Sequence, residues 1–251
     1  MQKFIIVFAA TVAVCCAFGY GRPASAMSRQ QKADGCSFRA GVVNHHTLAA
    51  ELMDRFFSDV ARCRPRVSRF IILSPDHFRA TAAPITTQTR KSPDLLAAVP
   101  SAKEDDRPFL REHGINALLP FIANANLGQS PAIIPLIINP RISSADARRL
   151  AQWLKGEIKD GAFLVVSSDM SHDLKKEDAL QNDVVTRLAF KDKNTDFFWS
   201  ANDGFTDNGK AIWIAMAALG MTRWNETSHS ISTVFGGTPF RTTSYITGFW
   251  E

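Results

Sequence analysis

Short apolar runs alternate with longer amphipathic segments along most of the chain. The most continuous apolar runs are residues 40–43, 70–73, 132–138 and 163–166. Runs of this length, rich in β-branched and aromatic side chains, are typical of strands that are buried on both faces of a sheet. Because helical patterns lie between the strands, the sequence predicts an α/β fold, a three-layer αβα sandwich with a mostly parallel central sheet.

The helical segments carry apolar residues at intervals of three or four positions. They are residues 47–60, 94–99, 115–122, 144–159, 177–190 and 210–219. In the first helix Thr47 is the predicted N-cap, and the inward face is formed by Leu48, Leu52, Phe56 and Val60. In helix 177–190 the predicted inward face is formed by Leu180, Val184, Val185 and Leu188.

Prolines and chain ends refine the strand predictions. Pro75 should end the strand that starts at Arg69, because proline donates no ladder hydrogen bond and disfavours helix at the residue before it. Pro135 inside an apolar run predicts an edge strand or a bulge. Residues 84–89 fit an edge strand, and residues 242–250 a closing strand.

The first 26 residues have the pattern of an export signal. Lys3 precedes an apolar run over residues 4–18, and Ala24 and Ala26 form a small-x-small cleavage site. The run is shorter than the roughly 20 residues that span a bilayer. We therefore expect cleavage after Ala26, a periplasmic or secreted protein without an integral membrane span, and a single domain over residues 27–251. An uncleaved anchor is the alternative.

Charge and cysteine content add two constraints. The net charge of +5 is mild and dispersed, which argues against a nucleic-acid partner. Two of the four cysteines belong to the predicted signal, which leaves Cys36 and Cys63. An exported protein permits a disulfide between them, but two free buried thiols fit the sequence equally well.

Three of the apolar runs end in loops that contain histidine. His45 follows the first run, His77 the second, and Asp169 and His172 the run at 163–166. The carboxyl ends of parallel strands meet at one edge of a sheet, where ligands bind in open α/β folds. Together these residues indicate a metal or acid–base site, although each histidine taken singly is most simply a hydrogen-bonded loop residue.

Successive motifs of the chain resemble those of the Memo family, whose bacterial members are often called AmmeMemoRadiSam system protein B. The matching segments are residues 41–45, 70–77, 112–121, 134–136, 163–172 and 243–249. The most specific are the S-S-D-x-x-H pattern that ends at His172 and the E-H-x-I-x-x-x-L-P-F pattern that starts at Glu112. The resemblance implies a fold related to class III extradiol dioxygenases, with a metal site at one edge of the sheet.

The same resemblance implies a ligand set. His45 and His77 take the places of the first two metal ligands, and Asp169, His172 and His113 become acid–base or supporting groups. The family's third ligand is a cysteine, but residues 206–212 contain none. Asp207 falls at that place, or Asn208 if the gap is set differently, and Asp207 could equally be only the N-cap of the last helix. Two histidines and one carboxylate would favour Fe(II), with copper as the second possibility.

These observations support three functional hypotheses. The first is an exported Memo-like metal-binding protein with redox or oxygenase-type chemistry at a mononuclear non-haem iron or copper site. The second is a non-catalytic module that uses the former metal cleft to bind a small molecule or peptide. The third is a hydrolase that uses Ser167, Ser168 or Ser171 with His172 and Asp169, which lacks the G-x-S-x-G motif of α/β-hydrolases.

Overall fold

The computed structural model describes residues 36–220 and 222–251, which build one sheet with helices on both sides. In these residues the strands are β1 (Ala40–Val43), β2 (Arg69–Pro75), β3 (Ile85–Thr87), β4 (Lys103–Glu104), β5 (Ala132–Ile138), β6 (Phe163–Ser167), β7 (Trp224–Ile231) and β8 (Ser244–Trp250). The α-helices are α1 (Ala50–Cys63), α2 (Pro93–Ala98), α3 (His113–Asn116), α4 (Leu119–Asn124), α5 (Ser144–Lys159), α6 (Lys176–Lys191), α7 (Thr195–Ser200) and α8 (Gly209–Leu219). The predicted export signal lies outside the described residues.

The sheet has the strand order β4-β3-β5-β2-β6-β1-β8-β7. Its four central strands, β5, β2, β6 and β1, are parallel, whereas β3 is antiparallel to β5 and β8 is antiparallel to both β1 and β7. The predicted α/β class is therefore confirmed, but the prediction of a mostly parallel sheet is wrong, because the sheet is mixed. The connection from β7 to β8 contains a short 3₁₀ helix and no α-helix of the kind that usually forms a parallel crossover.

Alternate residues of the central strands enter two separate hydrophobic cores. Phe70 and Ile72 of β2 belong to the core that contains side chains of α1, α3 and α4. Ile71 and Leu73 belong to the core that contains side chains of α5, α7 and α8. Both faces of the strands are buried, which explains why their sequences are continuously apolar.

One of the two strand prolines behaves as predicted. β2 ends at Pro75, which is in register with Ile138 of β5. Pro75 is the last residue of the strand, and the pairing of β2 with β6 has already ended at Leu73, so the missing N–H costs little. Pro135 lies in a strand with neighbours on both sides rather than at an edge, just before the residues that pair with β3.

Two helix predictions also need correction. Thr47 is not the N-cap of α1: a 3₁₀ helix, Thr47–Ala49, precedes it, and the side chain of His46 caps that turn, which leaves Leu48 exposed. In α6 the predicted apolar face is exposed at Val184, Val185 and Leu188.

The buried face of α6 is lined instead by Ala179, Asp183, Thr186, Ala189 and Phe190. Asp183 is buried because Ser244 of β8 and Ser171 donate hydrogen bonds to its carboxylate. Within the part of the chain that the structure describes, no helix has the length and apolar character that a membrane crossing requires.

Candidate metal centre

The candidate site lies where β1, β2 and β6 end side by side. β6 pairs with β1 on one side and with β2 on the other, all in parallel, so their carboxyl ends reach the same edge of the sheet. His45 follows β1, His77 follows β2, and Asp169 follows β6. The ring centroids of His45 and His77 are 4.7 Å apart. The sheet alone therefore brings together the residues that the sequence patterns indicated.

One carboxylate oxygen is the common neighbour of both imidazoles. Oδ2 of Asp207 lies 3.1 Å from Nε2 of His45 and 3.3 Å from Nε2 of His77. Asp207 comes from the segment before α8, far from the two histidines in sequence. Its other oxygen, Oδ1, accepts a hydrogen bond of 2.9 Å from the Ser168 hydroxyl, which holds the carboxylate in place.

The hydrogen bonds of His45 fix which of its nitrogens faces the site. The Ser167 hydroxyl donates to the carbonyl of Gly114 and lies 2.9 Å from Nδ1 of His45. Since the single hydroxyl proton is used on Gly114, Nδ1 must be the donor to Ser167, and in the neutral ring the lone pair is on Nε2. His45 is buried, and its Nε2 has no partner in hydrogen-bonding geometry although Asp207 is close.

His77 is oriented in the same way by a buried glutamate. Oε1 of Glu112 lies 2.5 Å from Nδ1 of His77, and Oε2 accepts from the backbone N–H of the same residue. Oε1 also accepts from the N–H of Gly114 at the start of α3. A carboxylate accepts only, so Nδ1 of His77 carries a proton and Nε2 is directed at Asp207. In metal sites a carboxylate behind an imidazole has this role.

Asp169, His172 and His113 surround this centre. Oδ2 of Asp169 lies 3.6 Å from Nε2 of His45 and 3.8 Å from Nε2 of His172. The ring of His113 is 3.8 Å from that of His77, centroid to centroid. All six side chains predicted from the sequence therefore meet in one place, although their roles remain predictions.

Exposure differs across the site. The side chains of His45 and Asp169 are almost fully buried, that of His77 is partly buried, and His172 and His113 face solvent to a larger extent. Solvent therefore reaches the centre from the side of His172 and His113. Any bound molecule would meet these two imidazoles first.

Two overlapping groups of side chains have ligand atoms within 4.8 Å of one another. One consists of His45, His77 and His113, and the other of His45, Asp169 and Asp207. Both groups contain the buried His45, and neither contains His45, His77 and Asp207 together. The donor set of imidazoles and carboxylates suits a divalent first-row cation.

Charge in the site is balanced between carboxylates and imidazoles. Burial lowers the pKa of His45, but the carboxylates of Asp169 and Asp207 outweigh burial, so the pKa is raised above its ordinary value. Burial likewise opposes the charged form of His77, yet hydrogen bonds to Asp207 and Glu112 raise its pKa to about 10. Without a cation the protons on these rings therefore neutralise the buried carboxylates.

The remaining perturbed groups follow from the same contacts. Burial acts to raise the pKa of Asp207, but the neighbouring His45 and His77 lower it well below its usual range. The pKa of His113 is lowered by burial and then by the charge of His77 and His45.

The alternatives that the sequence left open have distinct locations. The amide of Asn208 donates to the carbonyls of Leu73 and Ser167, so it joins β2 to β6 and is engaged away from the cation position. His46 is exposed, and its Nδ1 accepts from the N–H of Leu48. Cys36 and Cys63 form a disulfide.

The three serines of the hydrolase hypothesis are all fully buried. Ser167 donates to Gly114, Ser168 contacts Asp207, and Ser171 donates to Asp183. None is therefore presented to a substrate, and the arrangement gives no support to a serine nucleophile.

Sequence reasoning missed two supporting residues. Glu112 was recognised only as part of a motif, although it orients His77. Ser167 was considered as a nucleophile, whereas it orients His45. Glu112 precedes His113 at a helix start and Ser167 is the last residue of β6, but neither position by itself indicates a hydrogen bond to a histidine.

Comparison with known proteins supports the fold. No family model matches the chain, and no curated protein matches it. Among solved structures, the chain is similar to the crystal structure of an uncharacterized protein, JW3007, from Escherichia coli K12, with a TM-score of 0.53 and 12% sequence identity. The similarity covers 83% of this chain and 98% of that one. At this identity the likeness shows a shared α/β fold alone.

Proposed function

We propose that this chain is an exported, Memo-like metal-binding protein in which His45, His77 and Asp207 hold one divalent cation. The observation that carries the proposal is that the Nε2 atoms of both histidines face the same carboxylate oxygen, at 3.1 Å and 3.3 Å. Ligand atoms that each lie about 2.0–2.2 Å from one cation, in adjacent positions, are separated by roughly 3 Å.

The donor set favours iron. Two imidazoles and one carboxylate with further positions open are typical of non-haem Fe(II) oxygenases, and a hard carboxylate favours Fe(II) over copper when compared with a thiolate. When bound, Fe(II) would supply redox or oxygenase-type chemistry. We also propose that the helices on the two sides of the sheet form a three-layer αβα sandwich with it. The Cys36–Cys63 disulfide supports export, since disulfides persist in oxidising compartments.

The protein's own groups would control protons around the cation. Glu112 and Ser167 keep protons on the Nδ1 atoms, so both Nε2 atoms are directed inward. His172 lies at the solvent side, with Nε2 3.8 Å from both Asp169 and Asp207, and is placed to take or give a proton. His113, with a lowered pKa, would be neutral and able to accept a proton from a molecule that enters.

Metal content tests this proposal directly. The full chain is loaded anaerobically with Fe(II), desalted and measured by mass spectrometry of the metal, beside His45→Ala and Asp207→Ala. We expect about one iron per chain for the wild type and less than a tenth of that for either variant, because each loses a ligand. His46→Ala is the matched control, since His46 is the neighbouring exposed histidine, and it should retain the metal. A wild type that holds no stoichiometric iron or copper would refute the proposal.

The alternative, a ligand-binding module without metal, has one specific observation in its favour. The pKa values of His45 and His77 are raised in this site, where the carboxylates of Asp169 and Asp207 lie. Protons on these imidazoles can therefore balance the carboxylate charges without a cation. On this hypothesis a small molecule or peptide would bind at the side of His172 and His113. Its binding would survive a chelator, whereas binding that depends on the proposed cation would not.

A further inference from the structure

A second concave site lies at the opposite end of the sheet from the histidines. It is a cavity of about 870 Å³ next to the Cys36–Cys63 disulfide. Arg39, at its wall, comes immediately before β1, whereas His45 follows the other end of that strand. At about 3.3 Å per residue the two positions are roughly 20 Å apart. This cavity, which we call the basic cleft, is therefore separate from the candidate metal centre.

Cationic side chains dominate the lining of the basic cleft. They are Arg39, Arg64, Arg66, Lys155 and Lys159. Among the residues that the structure describes, no carboxylate lines the cleft. Two acidic residues lie close in sequence to the lining residues of α5: Glu157 pairs with Arg69, and Asp160 is exposed beside Lys159 but does not line the cleft. The cleft thus concentrates positive charge without a counter-charge of its own.

One of the five cations, Arg64, is held in place by the fold, and the other four are exposed. The guanidinium of Arg64 donates to the carbonyls of Phe38 and Gly161, which fixes it at the floor. The disulfide ties the segment that carries Arg39 to the end of α1, next to Arg64 and Arg66. Arg39 and Arg64 both line the cleft, and burial together with the charge of Arg39 lowers the pKa of Arg64.

We propose that the basic cleft binds a ligand with two or more phosphate groups. Guanidinium groups bind phosphate through paired N–H donors, and three of the five cations are arginines. A single monoanion would leave most of the five positive charges unpaired, whereas a polyphosphorylated ligand pairs several of them at once. The phosphates could belong to a soluble molecule or to lipid headgroups, and the experiment below distinguishes the two.

Calorimetric titration with inorganic tripolyphosphate tests the proposal on the full, oxidised chain. The cleft variant combines Arg66→Gln, Lys155→Gln and Lys159→Gln. We expect saturable binding by the wild type and binding at least about tenfold weaker in the variant, because three charge-assisted contacts are lost.

A matched control removes the same charge elsewhere on the surface. The control variant combines Arg148→Gln, Lys175→Gln and Lys176→Gln, which lie outside the cleft. Its affinity for tripolyphosphate should stay within about twofold of the wild type, because salt screens the charges of distant surface residues. Retained thermal unfolding temperatures establish that both triple variants are folded. His45→Ala should bind tripolyphosphate like the wild type, which separates this proposal from the proposed function.

Vesicle binding identifies the source of the phosphates. Vesicles of phosphatidylglycerol in phosphatidylcholine are sedimented with each protein. Cleft-dependent sedimentation would assign lipid headgroups, and tripolyphosphate binding without it would assign a soluble ligand. The proposal is overturned if neither probe binds, or if the cleft and control variants lose the same affinity.

Discussion

Replacing Gly114 by alanine is a sharp test of how the candidate metal centre is held. Gly114 lies in α3, and its N–H and carbonyl bind Glu112 and Ser167, the residues that orient the two central histidines. A Cβ at this position would lie 2.3 Å from Oγ of Ser74. It would also lie 3.2 Å from Oε1 of Glu112 and 3.3 Å from Cε1 of His77. The substitution therefore crowds Ser74, Glu112 and His77 without removing a predicted metal ligand.

The magnitude follows from two opposing effects. Extra atoms in a packed region typically cost about 1–3 kcal/mol, and Ser74 is fully buried, so its hydroxyl has little room to move. Alanine in place of glycine inside a helix gains about 1 kcal/mol. The contact at 2.3 Å is well below any real Cβ contact, so we expect the cost of overpacking to exceed the gain in helix propensity. Gly114→Ala should therefore destabilise the protein by about 1–2 kcal/mol.

The effect on metal binding should exceed the effect on folding. Because Glu112 and His77 must both shift by a few tenths of an ångström, the Nε2 of His77 leaves its position beside Asp207. Loss of a supporting contact behind a metal ligand typically weakens metal affinity about 10- to 100-fold. Fe(II) titration against a chromophoric chelator measures this affinity, and urea unfolding of the metal-free protein measures the stability.

A control and a rescue make the prediction specific. Gly156→Ala is the matched control, because Gly156 lies in α5 with no atom within 4 Å of the added Cβ, and it should stabilise the protein by about 0.5–1 kcal/mol. Ser74→Ala in the Gly114→Ala background removes the hydroxyl that the new Cβ meets, so it should restore part of the stability. A Gly114→Ala protein as stable as Gly156→Ala, or one that Ser74→Ala fails to improve, would refute this account of the site.

Three further predictions concern parts of the fold away from that glycine. Replacing Cys36 and Cys63 by serine should cost about 3–4 kcal/mol in urea unfolding, since the disulfide closes a loop with a sequence separation of 27, and added reductant should then have no further effect. Asp183→Ala should cost about 2–4 kcal/mol, because Ser244, Ser171 and His229 lose their acceptor, and stability equal to the wild type would contradict the buried network. Val185→Lys should change the unfolding free energy by less than about 0.5 kcal/mol; a cost of several kcal/mol would mean that this face of α6 is covered.

The central strands could be predicted from the sequence because burial on both faces leaves an unbroken apolar run. Residues 70–73 form one such run, which lies in β2, and residues 163–166 form another, which lies in β6. β7 was not predicted, since Trp224–Ile231 has six consecutive polar residues between its apolar ends and is only partly buried at the end of the sheet. The sheet is mixed even without β7, because β3 is antiparallel to β5 and β8 is antiparallel to β1. The missed strand and the wrong topology are therefore separate errors.

The face of α6 shows where periodicity alone fails. Two stripes of the helix have helical spacing, one apolar through Val184 and Leu188 and one mixed through Asp183 and Phe190. The mixed stripe is buried because β8 and the segment after β6 offer Ser244 and Ser171 as partners for a carboxylate. Hydrogen-bond partners that come from distant segments are invisible in a local pattern, so the apolar stripe was assigned inward.

The candidate site was predictable to the extent that it follows from strand ends. His45, His77 and Asp169 each come just after a central strand, and parallel strands bring such residues together. Glu112 and Ser167 act through hydrogen bonds to Nδ1 atoms, and nothing in their spacing from the histidines indicates this. Their role could be recognised only from the distances.

The position of Asp207 shows why a carboxylate is coherent at this place in this chain. Its backbone N–H donates to the carbonyl of Asp169, and the next residue, Asn208, is bonded to the ends of β2 and β6. The Ser168 hydroxyl then donates to Oδ1, which leaves Oδ2 for the two imidazoles. A carboxylate has two oxygen atoms, so Asp207 can accept from Ser168 with one and face both imidazoles with the other. Ser168, which holds the Asp207 carboxylate, belongs to the loop after β6, and the same loop supplies Asp169. The fold itself therefore assembles the acidic half of the site before any cation binds.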